Sequence, residues 1–239
     1  NYRGGGGEYK DHKFPHHLNH IDPEDDEMAT RTLFVGNLDN NISDEELRGV
    51  FSRFGIVEEI DIKYPANQGH VGNAYAFIKM INLDMAHRAK VEMSGKYIGK
   101  YQCKIGYGKV TPTNILWVGG LGHWVTMETV EQEFDRFGAI KHIEWQQGKT
   151  YGFVVYDNAD AAQAANSEMR GFPIGGPEHR LRVDFADESH LGVDFGPMPP
   201  PVSSASLTGG GGGGAYSSPP MGGRSDGPWR EQDRPRKEW

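Results

Sequence analysis

The sequence predicts an α+β fold in which one βαββαβ arrangement occurs twice in tandem. Stretches whose apolar residues alternate and stretches whose apolar residues have a helical period follow one another in that order. The sequence also contains an internal repeat. Residues 33–38 are similar to residues 116–121, and residues 51–55 are similar to residues 134–138, with the same distance along the chain between the members of each pair. A spacing of about 80 residues is typical of a duplicated domain and is too long for a solenoid repeat.

The first copy covers residues 30–108 and opens with a strand at 32–36. Ser43 and Glu46 have the spacing of a capping box. The helix that follows carries apolar residues at i, i+3, i+4 and i+7, and Gly55 ends it. The remaining elements are predicted as strands at 57–63, 73–80 and 102–107 and a helix at 82–93. This order is that of the ferredoxin-like sandwich, in which two helices cover one face of an antiparallel sheet.

The second copy covers residues 114–187 and follows a linker at 109–113. A connection this short reaches about 20 Å at most, and Pro112 stiffens it, so we expect the two sheets to adopt few relative orientations. Residues 1–29 are rich in Gly, His and acidic side chains, and residues 188–239 are rich in Pro, Gly and Ser. Neither stretch has an apolar period, so we predict that both are disordered tails.

The composition argues against several classes of function. The net charge of −8 is incompatible with a uniformly basic nucleic-acid surface, so any such binding must be local. The single cysteine, Cys103, cannot form an intrachain disulfide. Its position in the alternation of the predicted strand indicates that its side chain points toward the core. No apolar run is long enough to cross a membrane, and residues 1–9 lack a signal-peptide core. We find no spacing typical of a metal site, a catalytic triad or a complete phosphate-binding loop, so we expect no enzyme activity, cofactor or metal.

The strand at 149–156 shows where the functional side chains lie. Successive strand residues point to opposite faces, so Lys149, Tyr151 and Phe153 share one face while the residues between them face the helices. The first copy has the same alternation. An aromatic ring on the open face of a sheet suits stacking with a nucleobase, which is worth about 1–3 kcal/mol per base. We expect six such outward rings, three in each copy: Phe34, Tyr75, Phe77, Trp117, Tyr151 and Phe153.

Cations accompany the rings on the predicted faces. We expect the following to contact a nucleic-acid backbone: Lys63, Lys79, Lys104, Lys109, Lys149 and Arg182. Acidic residues share these faces at Glu59, Asp61 and Asp184, and the second copy has more acidic than basic residues. We therefore expect few phosphate contacts and a shallow dependence of affinity on salt.

Two alternatives to base stacking stay open at this point. One is that the rings bury against another protein or a terminal helix, although the opposite face of each strand already supplies a complete apolar set. The other is a protein-interaction module in which RNA is held by the first domain only. In that case the second domain would use its acidic first helix, which carries Glu128, Glu131, Glu133 and Asp135.

Two sets of strings resemble known families. The stretch 149–156 fits the RNP1 pattern K/R-G-F/Y-G/A-F-V-x-F/Y of RNA-recognition motifs except at Thr150, and both copies look like such motifs. Longer strings outside the motif resemble the split-ends (Spen) family, and its short branch most closely. These strings are 31–39, 82–90, 104–109, 133–138, 169–177 and 180–186. The two copies are similar to the second and third motifs of that family.

The resemblance implies a nuclear protein that acts as an RNA-binding adaptor in mRNA processing, including N6-adenosine methylation targeting and splicing regulation. It implies single-stranded or loop RNA and the N6-adenosine methyltransferase complex as partners, and it places RNA contacts at the six ring positions. One departure is Asn73, which stands where RNP1 usually opens with Arg or Lys. We expect a phosphate contact to be missing there.

Overall fold

Each copy of the repeat forms a four-stranded antiparallel sheet with two helices against one face. The computed structural model describes residues 21–65 and 72–196. The first domain consists of β1 (Thr32–Leu38), α1 (Asp44–Phe51), β2 (Val57–Lys63), β3 (Ala74–Met80), α2 (Leu83–Met93), a short hairpin of β4 (Tyr97–Ile98) and β5 (Tyr101–Gln102), and β6 (Lys104–Tyr107). Its sheet has the order β2-β3-β1-β6.

The second domain repeats this plan. It consists of β7 (Ile115–Gly119), α3 (Met127–Asp135), β8 (Ile140–Glu144), β9 (Tyr151–Tyr156), α4 (Ala159–Met169) and β10 (Arg182–Phe185). The sheet order β8-β9-β7-β10 matches that of the first domain, with the first and third strands of each copy in the centre. The predicted α+β class with two βαββαβ units is therefore confirmed.

Local sequence signals set the ends of the helices. A side chain immediately before each of the four helices among the described residues accepts a hydrogen bond from a backbone N–H in the first turn, as Ser43 does from Glu46 at 3.2 Å and Asn82 does from Met85 at 2.9 Å. Gly55 follows α1 with a φ of 151°, and a Cβ there would lie 2.2 Å from the sulfur of Met85. A glycine at this position lets the chain turn while α2 packs closely against it.

The two cores lie between each sheet and its own helices. Inward residues of the central strands, such as Leu33, Val35 and Ile78, are fully buried with Leu47 and Phe51 of α1. The second core is built in the same way. The alternation that the sequence predicts for β1 and β3 is therefore present, because one parity packs under the helices and the other lies on the opposite face of the sheet.

Two stretches correct the predicted boundaries of the disordered tails. Residues 21–29 form a turn that ends in the fully buried Ala29, and residues 188–196 form a short 3₁₀ helix (Glu188–His190) followed by an extended stretch. Both stretches pack against the sheet of the second domain. Their few apolar residues have no period of their own, so the sequence offers no sign that they fold. Residues 1–20 and 197–239 lie outside the described part of the chain.

The second domain packs its sheet, rather than its helices, against the first domain. Leu83 at the start of α2 belongs to one buried cluster with Ile115, Trp117 and Val155 of the second sheet. The N-terminal and C-terminal stretches fill the rest of this boundary. None of the helices in residues 21–65 and 72–196 has the length and apolar character needed to cross a bilayer.

The buried thiol of Cys103 yields a test of the core. Its Sγ lies 3.2 Å from the carbonyl oxygen of Met93, and burial raises its pKa to about 11. Because the thiolate is the reactive form, we expect iodoacetamide at pH 8 to modify the native chain on the order of a hundredfold more slowly than a free cysteine. Intact-mass spectrometry over time measures this rate, and the same chain in guanidinium chloride is the control. Equal rates for folded and unfolded chain would contradict the placement of Cys103.

Candidate nucleic-acid interface

Three aromatic rings lie together on the open face of the first sheet. Phe34 on β1 is the cross-strand partner of Phe77 on β3, and Tyr75 lies one pleat away on the same face. Their ring centroids are 5.6–5.9 Å apart. Phe34 is 36% exposed and Tyr75 is 38% exposed, while Phe77 is partly buried. The structure thus brings the three predicted rings of the first copy into one accessible cluster.

A groove of about 770 Å³ opens beside Phe34 and Phe77. Its size is within the range of small-ligand sites. Lys109, Val110, Thr111 and Thr113 of the linker form one wall. The other residues that line the groove come from both domains: Arg31, Thr32, Glu59, Asp61, Lys79, Tyr107, Phe185 and Asp187. The ring cluster therefore continues into a cleft at the domain boundary.

The cations predicted around these rings are in part neutralised. The Lys63 ammonium lies 2.9 Å from Asp61, whose hydrogen bond and charge raise the pKa of the lysine. The Lys79 ammonium lies 2.7 Å from Asp187. Lys104 on β6 and Lys109 in the linker are exposed. A phosphate backbone would therefore meet little net positive charge on this face.

The second sheet presents a closed face, which corrects the prediction of six outward rings. Trp117 is 2%, Tyr151 is 7% and Phe153 is 3% exposed. Trp117 belongs to the cluster around Leu83 of α2. The strand parity is as predicted, but the face is covered by parts of the chain distant in sequence. The three rings therefore lie inside the molecule.

The C-terminal stretch covers the other two rings. The backbone N–H of Phe195 donates to the hydroxyl of Tyr151 at 3.2 Å, and the imidazole of His190 lies 6.4 Å from the ring of Phe153 between centroids. The ammonium of Lys149 pairs with Asp194 at 2.8 Å, and this carboxylate raises the pKa of the lysine. Lys149, predicted to contact RNA, thus holds the chain's own C-terminal stretch.

Arg182 is a buried clamp rather than an exposed contact. Its guanidinium forms two parallel hydrogen bonds to the carboxylate of Asp84 on α2, one of them at 3.0 Å, and a further one to Glu24 at 3.2 Å. Arg182 and Asp84 are both buried. The prediction that Arg182 faces RNA is wrong for this arrangement, because the residue joins the two domains.

Arg31 is a central residue that sequence reasoning missed. It is buried at the boundary between the two domains. Its backbone N–H donates to Asp184 at 2.6 Å, and its Nε donates to the carbonyl of Phe185 at 3.0 Å. Its two terminal nitrogens donate to Glu58 and Asp187. The sequence shows Arg31 only as the residue before a strand, without a signal that it is buried.

The carboxylates around Arg31 titrate differently according to their neighbours. Burial raises the pKa of Asp184 to about 6, against the effect of N–H donors from Arg31 and Phe185. Burial also acts on Glu58, but the hydrogen bond from His190 and the charge of Arg31 outweigh it and lower its pKa.

Glu58, Asp187 and His190 are close enough to form a metal site. Arg31 and Lys79 already neutralise the two carboxylates, so the cluster does not suit a further cation.

The comparisons with known proteins agree with this architecture. The family model described as RNA recognition motif matches residues 33–104 and 116–180. The chain is 59% identical over 180 residues to RNA-binding protein spenito of Drosophila melanogaster, a match that covers 75% of this chain and 22% of that protein. It is 39% identical over 158 residues to Protein split ends of the same organism, covering 66% of this chain and 3% of that protein. The predicted resemblance to the split-ends family is confirmed.

Among solved structures, the chain is similar to the first two RRM domains of yeast poly(U) binding protein (Pub1). The identity is 29% and the TM-score is 0.32, with 66% of this chain and all of that chain covered. This chain spans 22% of the length of spenito.

The clamp between the domains is tested by removing Asp84. The change Asp84→Ala leaves Arg182 buried without its bidentate partner, which typically costs about 3–5 kcal/mol. We expect a lower midpoint of thermal unfolding and a larger radius of gyration in X-ray scattering as the domains separate. Asp44→Ala, which removes only an exposed pair with Arg48, is the matched control. Identical scattering curves for Asp84→Ala and the parent would show that the pair is dispensable.

The raised pKa of Asp184 predicts a pH dependence of stability. Because the folded state binds this proton more tightly than the unfolded state, the contribution of Asp184 to stability increases as pH falls from 7 toward 4. We expect the parent chain to gain about 1.4 kcal/mol per pH unit below 6 relative to Asp184→Asn. Urea unfolding of both chains at pH 7, 6 and 5 measures the difference. A difference that stays constant with pH would contradict the buried titration.

Proposed function

This chain belongs to the RNA recognition motif family, and on that basis we propose that it binds single-stranded or loop RNA on the sheet face of its first domain. The observation that carries the proposal is the cluster of Phe34, Tyr75 and Phe77, which is accessible on the face opposite the helices. Each ring offers a flat apolar surface to an unstacked base, which is the usual way in which proteins read single-stranded RNA.

The groove at the domain boundary extends this site. A strand of RNA that stacks on Phe77 continues toward Lys109 and the linker, because the groove begins at that ring. We place phosphates near the exposed side chains of Lys104 and Lys109. The ammonium groups of Lys63 and Lys79 are held by carboxylates. Affinity then comes mainly from stacking, and we propose few phosphate contacts and a shallow dependence on salt, in which log K falls with log[salt] with a slope magnitude of about 2–4 at roughly 0.7 per phosphate.

In this proposal the second domain does not offer its sheet to RNA in the packed arrangement. Contact of RNA with Trp117, Tyr151 or Phe153 requires that α2 and the C-terminal stretch first leave that face.

The helix side of the second domain is its open side. Glu128, Glu131 and Asp135 are exposed on α3, and none takes part in an ion pair among the residues that the structure describes. This supports a second candidate function, the binding of a basic protein surface by α3.

We further propose that the chain acts without catalysis, cofactor or metal, as an adaptor in nuclear mRNA processing. Its similarity to the split-ends family supports roles in N6-adenosine methylation targeting and splicing regulation, with the N6-adenosine methyltransferase complex as a partner. Affinity purification of the tagged chain from nuclear extract, with and without ribonuclease, tests this association. Absence of the methyltransferase from both eluates would overturn it.

Paired substitutions in the two sheets test where RNA binds. Replacing Tyr75 and Phe77 with Ala removes two stacking surfaces, and we expect RNA affinity to fall at least about 30-fold. Replacing Tyr151 and Phe153 with Ala removes buried rings, so we expect a lower unfolding temperature and an affinity that changes far less. Fluorescence anisotropy with labelled single-stranded oligonucleotides measures both. Tyr97→Ala, on the helix side of the first domain, is the control.

The outcomes discriminate between the candidate functions. If only the replacement of Tyr75 and Phe77 lowers RNA affinity, RNA binds the first domain, and the second domain is the candidate for protein binding. Equal losses from both pairs would show that the second sheet opens to RNA. No loss from either pair would overturn RNA binding by the sheets.

A further inference from the structure

A second groove lies on the helix side of the first domain, away from the three rings of the sheet. It occupies about 480 Å³ between the ends of α1 and α2 and the strand β4. Its lining residues are Arg53, Phe54, Glu92, Met93, Lys96 and Tyr97. Phe54 and Met93 are buried and form an apolar floor, whereas the ring of Tyr97 is 68% exposed and forms a wall.

The second domain shows what fills the same place in the other copy. There the guanidinium carbon of Arg136 lies 5.2 Å from the ring centroid of Phe137 and 5.7 Å from that of Phe172, so two rings flank it. One terminal nitrogen of Arg136 contacts the sulfur of Met169 at 3.7 Å. The position is therefore closed by the chain's own aromatic side chain.

The first domain has the same arrangement with one ring missing. Arg53 lies 5.6 Å from the ring centroid of Phe54 and contacts the sulfur of Met93 at 3.9 Å. In the repeat, Met93-Ser-Gly-Lys96 aligns with Met169-Arg-Gly-Phe172, so Lys96 stands where the second domain has Phe172. The guanidinium of Arg53 thus has an aromatic partner on one side and an open groove on the other.

The free charge at the rim of this groove is positive. Arg53 and Lys96 are exposed, and neither takes part in an ion pair within the described ranges. The carboxylate of Glu92 is held by Arg88 at 2.9 Å. An aromatic side chain between two cations gains cation–π attraction, and acidic neighbours in the same ligand complement the rim.

We propose that this groove binds a short acidic segment of a partner protein through one aromatic side chain, which takes the place that Phe172 occupies in the second domain. The aromatic ring stacks on the guanidinium of Arg53 and contacts Met93 and Tyr97. Carboxylates on either side of it pair with Lys96 and Arg53. This site is independent of the sheet that holds RNA in the proposed function, so failure of either proposal leaves the other intact.

The test uses a fluorescein-labelled peptide, acetyl-Glu-Asp-Glu-Trp-Asp-Glu-amide, titrated with the full chain and followed by anisotropy. We expect saturable binding that weakens about tenfold or more when Trp is replaced by Ala or when the acidic residues are replaced by Lys. In ¹H–¹⁵N spectra the peptide should shift the amides of Arg53, Met93, Lys96 and Tyr97 and leave those of Tyr75 and Phe77 unchanged.

The variant Lys96→Phe introduces the residue found at the equivalent position of the second domain, Phe172, and its ring is expected to occupy the groove. We expect it to abolish peptide binding while the unfolding temperature and the RNA affinity stay at the parent values. Lys100→Phe places the same ring on an exposed residue of the same hairpin and is the matched control, which should bind the peptide normally.

Three results with the peptides and the variant would overturn the proposal. They are equal binding of the Trp and Ala peptides, equal binding of the acidic and Lys peptides, and undiminished binding by Lys96→Phe. A single-stranded oligonucleotide that displaces the peptide and shifts the amide resonances of Arg53 and Lys96 would also overturn the proposal. The groove would then be a nucleic-acid site.

Discussion

The buried pair of Arg182 and Asp84 is the constraint on which the arrangement of this molecule depends. Removing two charges from water is costly, and the attraction between them repays that cost only in good geometry with all donors and acceptors satisfied. A shift of one domain against the other would leave a guanidinium buried without its carboxylate. The bidentate geometry therefore selects one register of the two domains from the few that the short linker permits.

Arg31 extends this constraint to the ends of the folded region. It connects the backbone and carboxylates of the second domain's last strand to Glu58 on β2 of the first domain. Residues 21–29 and 188–196, on either side of the tandem domains, also become part of the fold, because Ala29, Leu191 and Phe195 pack against the second sheet. These two stretches have too few apolar residues to fold by themselves, and they are ordered by closing the boundary between the domains.

The two copies of the repeat use the same aromatic positions in opposite ways. On the sheet side, the rings of the first domain are accessible and those of the second are buried. On the helix side, the second domain closes its groove with Phe172 and the first leaves the equivalent groove open at Lys96. Duplication has thus kept the three ring positions of each sheet, while the residues around them decide whether a ring stays accessible or is buried in the protein. Several cations next to the rings pair with carboxylates, so the accessible face of the first sheet offers aromatic surface with little net positive charge.

Much of this structure follows from local patterns. Alternation in the strands, capping side chains at Ser43 and Asn82 and the glycine after α1 act over a few residues, and the repeat identifies the domains before any coordinates are known. The parity of Trp117 and Phe153 is likewise local, but their burial is not, because it depends on Leu83 and on residues beyond the second domain. The roles of Arg31 and Arg182 were also decided by tertiary contacts, such as those with Asp184 and Asp84, which lie 153 and 98 residues away along the chain. Strand parity tells which face a side chain occupies, whereas only the packed chain decides what covers that face.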